Sequence, residues 1–129
     1  MKNTFKVFVY GTLLVDESNH HVAKPYLHSV EPGIVKGFLY TVGPYPALLA
    51  DPNGMEIKGE WFTVDAVGLK RMDELEGYHE NRDQNYYERI IINDCYSNAE
   101  GFVYVFKEEQ VAGLDLIECG SWRDYRNNK

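Results

Sequence analysis

Three observations predict an α/β fold of the α+β kind for this chain. Runs of aromatic and β-branched residues recur at strand length, one segment among them carries a helical apolar stripe with a signal at each end, and Gly, Pro, Asn and Asp cluster between the runs. A length of 129 residues is enough to bury one core without disulfide or metal staples, so a single domain over 1–129 is expected.

Phe5 to Tyr10 is interrupted only by Lys6 and reads as a strand buried on most of both faces, ended by Gly11. Residues 16–28 are polar; Asp16, Ser18 and Asn19 are candidate helix caps, and Pro25 limits a helix there to about two turns. Ile34 to Thr41 and Glu56 to Val64 carry strand-like residues. Between them, Gly43-Pro44-Tyr45-Pro46 and Asp51-Pro52-Asn53-Gly54 predict one long, Pro-shaped connection.

Asp65 can cap a helix running to about Glu76, where Gly77 supplies the stop. Tyr78 to Asn85 is polar after its Tyr and reads as a solvated loop. Tyr87 to Ile92 and Gly101 to Phe106 then resume strand patterns and pair most simply as a hairpin. The tail after Lys107 shows no clear period and is expected to pack through Trp122 and Tyr125.

Composition excludes several classes of function. A formal charge of −7 opposes the counterion release that drives nucleic-acid binding, so nucleic acid and anionic membranes are poor partners. The start, Met1-Lys2-Asn3-Thr4, runs straight into the first strand without a signal h-region, and no later apolar run is long enough to span a bilayer; the cytoplasm is the expected location. Cys95 and Cys119 have no metal-ligand or redox-motif spacing and read as free thiols. His20-His21, His28 and His79 likewise lack ligand spacing, and Ser18 and Ser121 lack a nucleophile elbow, so neither a zinc site nor a hydrolase triad is expected. Oligomeric state has no signature in the sequence.

Chemistry is expected at two places. Glu76 lies seven residues after Leu69 and four after Met72, inside the helical stripe that should face the core, with Asp73 at its border and Lys70, Arg71 and Glu74 opposite. Burial, the negative helix end and Asp73 should all raise the pKa of Glu76, which suits proton transfer near neutral pH. The alternative is that Glu76 leaves the core at a frayed helix end and bonds a loop. The second place is Tyr10-Gly11-Thr12-Leu13, where a glycine with φ > 0 at the strand end would turn successive amides into an anion-binding nest, although an ordinary turn is the simpler reading of the tetrapeptide alone. Tyr87 and Arg89 alternate onto one face of their strand, which predicts cross-strand packing with an Arg whose head reaches solvent.

Taken together, Tyr10-Gly11-Thr12-Leu13, Gly37-Phe38-Leu39-Tyr40, Tyr45-Pro46-Ala47, Ile57-Lys58-Gly59-Glu60-Trp61-Phe62, Met72-Asp73-Glu74-Leu75-Glu76-Gly77-Tyr78 and Tyr87-Glu88-Arg89 resemble the γ-glutamylcyclotransferase-like family (AIG2-like) over about residues 5–106. Trp122-Arg123-Asp124-Tyr125 is similar to the tail of bacterial members. The resemblance implies a small mixed β-barrel of about five to six strands flanked by helices, with a small-molecule γ-glutamyl substrate bound at one end. It implies that the α-amine of the γ-glutamyl group attacks its own γ-carbonyl to give 5-oxoproline and a free amine, with no metal or organic cofactor. It carries the catalytic carboxylate onto Glu76 and the substrate cradle onto Tyr10, Gly11, Thr12 and Leu13. The stretch Leu14 to His20 keeps an Asn-His pair similar to the family's but has no basic residue before it, which leaves the choice of amine open. Removal of a γ-glutamyl protecting group would use the same chemistry on a larger amine. The competing class is a non-catalytic module that binds a small ligand or a protein on the same fold.

Overall fold

The computed structural model describes residues 3–127; Met1 and Lys2, where the N-terminal reading begins, lie outside them. The chain runs β1 (Thr4–Val9), α1 (His20–Ala23), a 3-10 turn (Lys24–Tyr26), β2 (Leu27–Thr41), β3 (Pro46–Ala50) and β4 (Met55–Asp65). It continues with α2 (Ala66–Glu76), β5 (Glu88–Asn93), β6 (Glu100–Val105), α3 (Glu108–Val111), β7 (Asp115–Leu116) and α4 (Trp122–Asn127).

The strands form one mixed sheet in the order β3-β2-β4-β1-β6-β5, with β7 added on β2. β1 pairs antiparallel with β4 and parallel with β6, so it is covered on both edges as well as both faces. The sheet curls into a half-barrel, and Phe106 N donates to the Leu48 carbonyl at 2.9 Å, drawing the end of β6 onto β3. Alternation along β1 divides the core: Val7 and Val9 join Phe62, Leu69 and Met72 under α2, whereas Phe8 and Tyr10 join Leu39, Ile57 and Trp61 on the other side.

The helix expected over 65–77 forms with those limits. Asp65 accepts from Gly68 N at 2.8 Å, and Gly77 adopts a left-handed φ of 70° that lets Tyr78 N close on the Asp73 carbonyl at 2.9 Å. β5 and β6 pair as the expected hairpin. In the tail, Trp122 is buried and stacks on Tyr125, as its composition suggested.

Three readings need correction. β2 begins at Leu27 rather than Ile34, because β4 offers a partner along its whole length and extends the pairing through Pro32 and Gly33, where the apolar pattern is broken. The connection after β2 contains a strand of its own: Pro46 to Ala50 pairs with β2, with proline at the first position, where its missing N–H is tolerated. Asn19 stands at the start of α1 but does not cap it with its side chain, which is directed to Thr12 instead.

Candidate active site

The chain leaves β1 at Tyr10 and turns sharply, with Leu14 N donating to the Gly11 carbonyl at 3.1 Å. Gly11 is not in the left-handed region, contrary to the φ > 0 expectation. Glycine is required there by close approach: a Cβ would lie 2.7 and 2.8 Å from Cγ and Cδ of Pro46. Contacts from Asn19 and His20 hold the turn, beginning with Asn19 N donating to the Thr12 carbonyl at 2.8 Å. Asn19 Nδ2 donates to Thr12 Oγ1 at 3.0 Å, and His20 Nδ1 donates to the Leu13 carbonyl at 2.9 Å. Among the described residues, no acceptor takes the backbone amides of Thr12 and Leu13. Oriented, unspent amides beside a cavity suit a carboxylate or an oxyanion.

Tyr10, Gly11, Thr12, Leu13 and Glu76 all line one cleft of about 400 Å³, a size suited to a small ligand. Among the described residues, Glu76 is the only charged one in the lining. The last turn of α2 aims this side chain inward, as the stripe with Leu69 and Met72 requires. The residue keeps partial solvent access, yet burial pushes its carboxyl up to about 7. The alternative of a frayed helix end bonded to a loop does not hold for the carboxylate. Among the described residues no donor serves it, while the Glu76 backbone carbonyl accepts from Tyr87 N at 3.3 Å.

Asp73 does not contribute to that rise as the sequence suggested. Its carboxylate accepts from Arg89 Nη1 at 2.6 Å and from the Tyr104 hydroxyl at 2.6 Å, so its charge is compensated. Arg89 likewise departs from expectation: its side chain is only 8% exposed and lies over the rings of Tyr78 and Phe102, 4.7 and 4.3 Å from their centroids.

Sequence reasoning named Tyr10 but missed the rest of the tyrosine wall. Tyr10 donates to the Tyr104 carbonyl at 2.7 Å and accepts from Leu48 N at 3.2 Å, and Tyr87 donates to the Pro46 carbonyl at 2.6 Å. Burial raises the pKa of Tyr10, Tyr87 and Tyr104, so each keeps its proton at neutral pH. Glu76 remains the group able to exchange one there. Ser18, Asn19, Tyr45 and Tyr86 complete the rim. The one signal that could have found Tyr45 and Tyr87 was their place in the motifs Tyr45-Pro46-Ala47 and Tyr87-Glu88-Arg89.

Fold and site together define a half-barrel with a cleft of small-ligand size, in which one largely desolvated acid shares the lining with a turn of free backbone amides. The chain belongs to the γ-glutamyl cyclotransferase, AIG2-like family, whose model matches residues 7–124. It is 33% identical over 126 residues to the γ-L-glutamyl-butirosin B γ-glutamyl cyclotransferase of Niallia circulans, covering 93% of this chain and 76% of that one. It is also 33% identical over 119 residues to the γ-glutamylcyclotransferase family protein ytfP of Citrobacter rodentium, covering 92% and 96% of the two chains. The fold is that of the mouse AIG2-like protein, with a TM-score of 0.72 at 22% identity over 90% of this chain and 87% of the other. Among the described residues, no helix is long and apolar enough to cross a membrane.

Proposed function

We propose that this protein cleaves γ-glutamyl amides by cyclisation, releasing 5-oxoproline and a free amine without a cofactor. The carrying observation is Glu76: the cleft's only charged lining residue, unserved by any donor among the described residues, on a helix end facing the turn of residues 10–13. Family membership supports the same reading.

In this mechanism the amides of Thr12 and Leu13 fix the substrate's α-carboxylate or receive the oxyanion that develops on its γ-carbonyl. Glu76, as carboxylate, takes a proton from the α-ammonium. The freed amine attacks the γ-carbonyl, forming the ring C–N bond. As the tetrahedral intermediate collapses, Glu76 returns the proton to the departing nitrogen, and the ring nitrogen gives up its second proton so that the lactam keeps one N–H. The original C–N bond breaks with that second proton leaving on the amine as ammonium. Atoms balance with no water consumed. The nucleophile is carried by the substrate, so orientation within the cleft supplies much of the acceleration. Free thiols at Cys95 and Cys119 fit a reducing, cytoplasmic setting.

The test is to incubate purified protein, without added metal or nucleotide, with a panel of γ-glutamyl amines and dipeptides and to resolve the products by NMR. The expected products are 5-oxoproline and one equivalent of amine. Free glutamate would identify water as the nucleophile and a hydrolase in place of a cyclase. Saturable binding with no product would identify a binding module.

A further inference from the structure

The mouth of the cleft carries an aromatic lip that the chemistry above does not use. Tyr45, between β2 and β3, and Tyr86, just before β5, meet there with ring centroids 6.2 Å apart and planes 28° from parallel. Their hydroxyls are in direct hydrogen-bond contact. Tyr86 is 47% exposed, and its neighbour in the lining, Leu75, is 38% exposed. Large rings left open at a cavity mouth gain free energy when a ligand covers them.

The lip is also stiff. Tyr86 is backed edge-on by Tyr87 and Phe106, with centroids 5.3 and 5.2 Å away. Its amide donates to the Gly77 carbonyl at 3.3 Å, and its own carbonyl accepts from Gln110 Nε2 at 2.9 Å. Tyr86 keeps its proton, since burial and the Tyr45 contact push its hydroxyl up to about 12. A leaving group with a carboxylate would meet no cation in the lining among the described residues. One with an ammonium would meet ring faces but no acid other than Glu76, whose charge the reaction uses. A flat, uncharged body fits the offset-stacking geometry of the two rings and the apolar surface of Pro44 and Leu75.

Building on the cyclisation reading, we infer that Tyr45 and Tyr86 form the leaving-group subsite and that it takes amines with an uncharged aromatic body. The departing nitrogen would lie toward Glu76 and the ring between the tyrosines and Leu75.

The test compares γ-glutamyl amides of benzylamine, methylamine, 1,4-diaminobutane and glycine in steady-state assays. Wild-type protein is expected to favour the benzylamide in kcat/KM by about three- to tenfold, the worth of one aromatic pair. Tyr45→Ser and Tyr86→Ser, checked for fold by circular dichroism, should erase that preference through KM, whereas the methylamide should lose far less. Tyr86→Phe should retain it. Equal losses on every leaving group, or a wild-type preference for the glycine or diaminobutane amide, would overturn the assignment. If no amide turns over, the cyclisation reading fails separately. Calorimetric titration of the benzylamide then decides the lip: weaker binding to Tyr86→Ser supports the subsite, and unchanged binding removes it.

Discussion

Arg89 holds Asp73 at 2.6 Å three residues before Glu76, a little under one helical turn, joining the end of α2 to β5. The Tyr104 hydroxyl takes the other Asp73 oxygen at 2.6 Å and adds β6 to the same junction. Glu76 is thus carried on a helix end that two strands fix in place. The acid nearest it on the helix is neutralised, so a carboxylate left without donors sits in the cleft without a second free charge on its own turn.

Removing the guanidinium should therefore damage more than one contact. Arg89→Met leaves Asp73 partly buried and uncompensated, with an expected loss on the order of 3 kcal/mol, read as a lowered urea midpoint. Adding Asp73→Asn to Arg89→Met should restore part of that loss. A double variant no more stable than the single would show that the pair is not what anchors the helix end.

Glu76 is expected to trade stability for chemistry. Its folded pKa of about 7 lies above its ordinary value of 4.5. The folded protein therefore binds more protons than the unfolded chain between those values. Stability falls as pH rises through that window and stays reduced above it. Glu76→Gln removes the titration, so it should be more stable than wild type at pH 8, by on the order of 1–3 kcal/mol, and no more stable at pH 4. Turnover should drop about a hundredfold or more. Near-normal turnover would sink the catalytic assignment, and a melting difference independent of pH would remove the burial argument.

How much of this was legible depended on whether the signal was local. The α2 helix could be read to its limits because Asp65, the Leu69-Met72-Glu76 stripe and Gly77 are all short-range features. The same stripe marked Glu76. Partners far apart in sequence were not legible. Nothing near Asp73 announces Arg89, and nothing near Gly11 announces that Pro46 lies against it. The sequence places the start of β2 at Ile34 because Pro32 and Gly33 interrupt the pattern, although β4 pairs through them. The tyrosines of the cleft read as packing units, since a hydroxyl's acceptor, such as the Pro46 carbonyl for Tyr87, is set only by tertiary structure.

The contact between Gly11 and Pro46 makes its own prediction. Gly11→Ala places a methyl about where Pro46 Cγ and Cδ already sit, 2.7 and 2.8 Å away, so the turn must shift and its amides lose their aim. KM should rise at least severalfold, about a kcal/mol of lost binding, with the fold retained. Gly11→Ala combined with Pro46→Ala removes both clashing atoms and should recover much of the affinity. Unchanged KM in a folded Gly11→Ala protein would place the cradle elsewhere.

The pH dependence of turnover follows from the cause of the Glu76 shift. Attack requires the carboxylate form, so kcat/KM should rise with pH along an acid limb whose midpoint is near the value of about 7 that burial sets. A shift produced by desolvation is not a through-solvent attraction between charges, and mobile ions screen the latter far more than the former. Raising sodium chloride from about 0.1 to 1 M shortens the screening length about threefold, and the limb should nevertheless stay close to its place. In Arg89→Met the Asp73 charge is released beside Glu76, which should move the limb to higher pH and make it salt-sensitive. The measurement is a pair of pH-rate profiles at the two salt concentrations for each protein. A wild-type limb near the ordinary carboxylate range, or one that moves strongly with salt, would show that burial does not set the titration of Glu76.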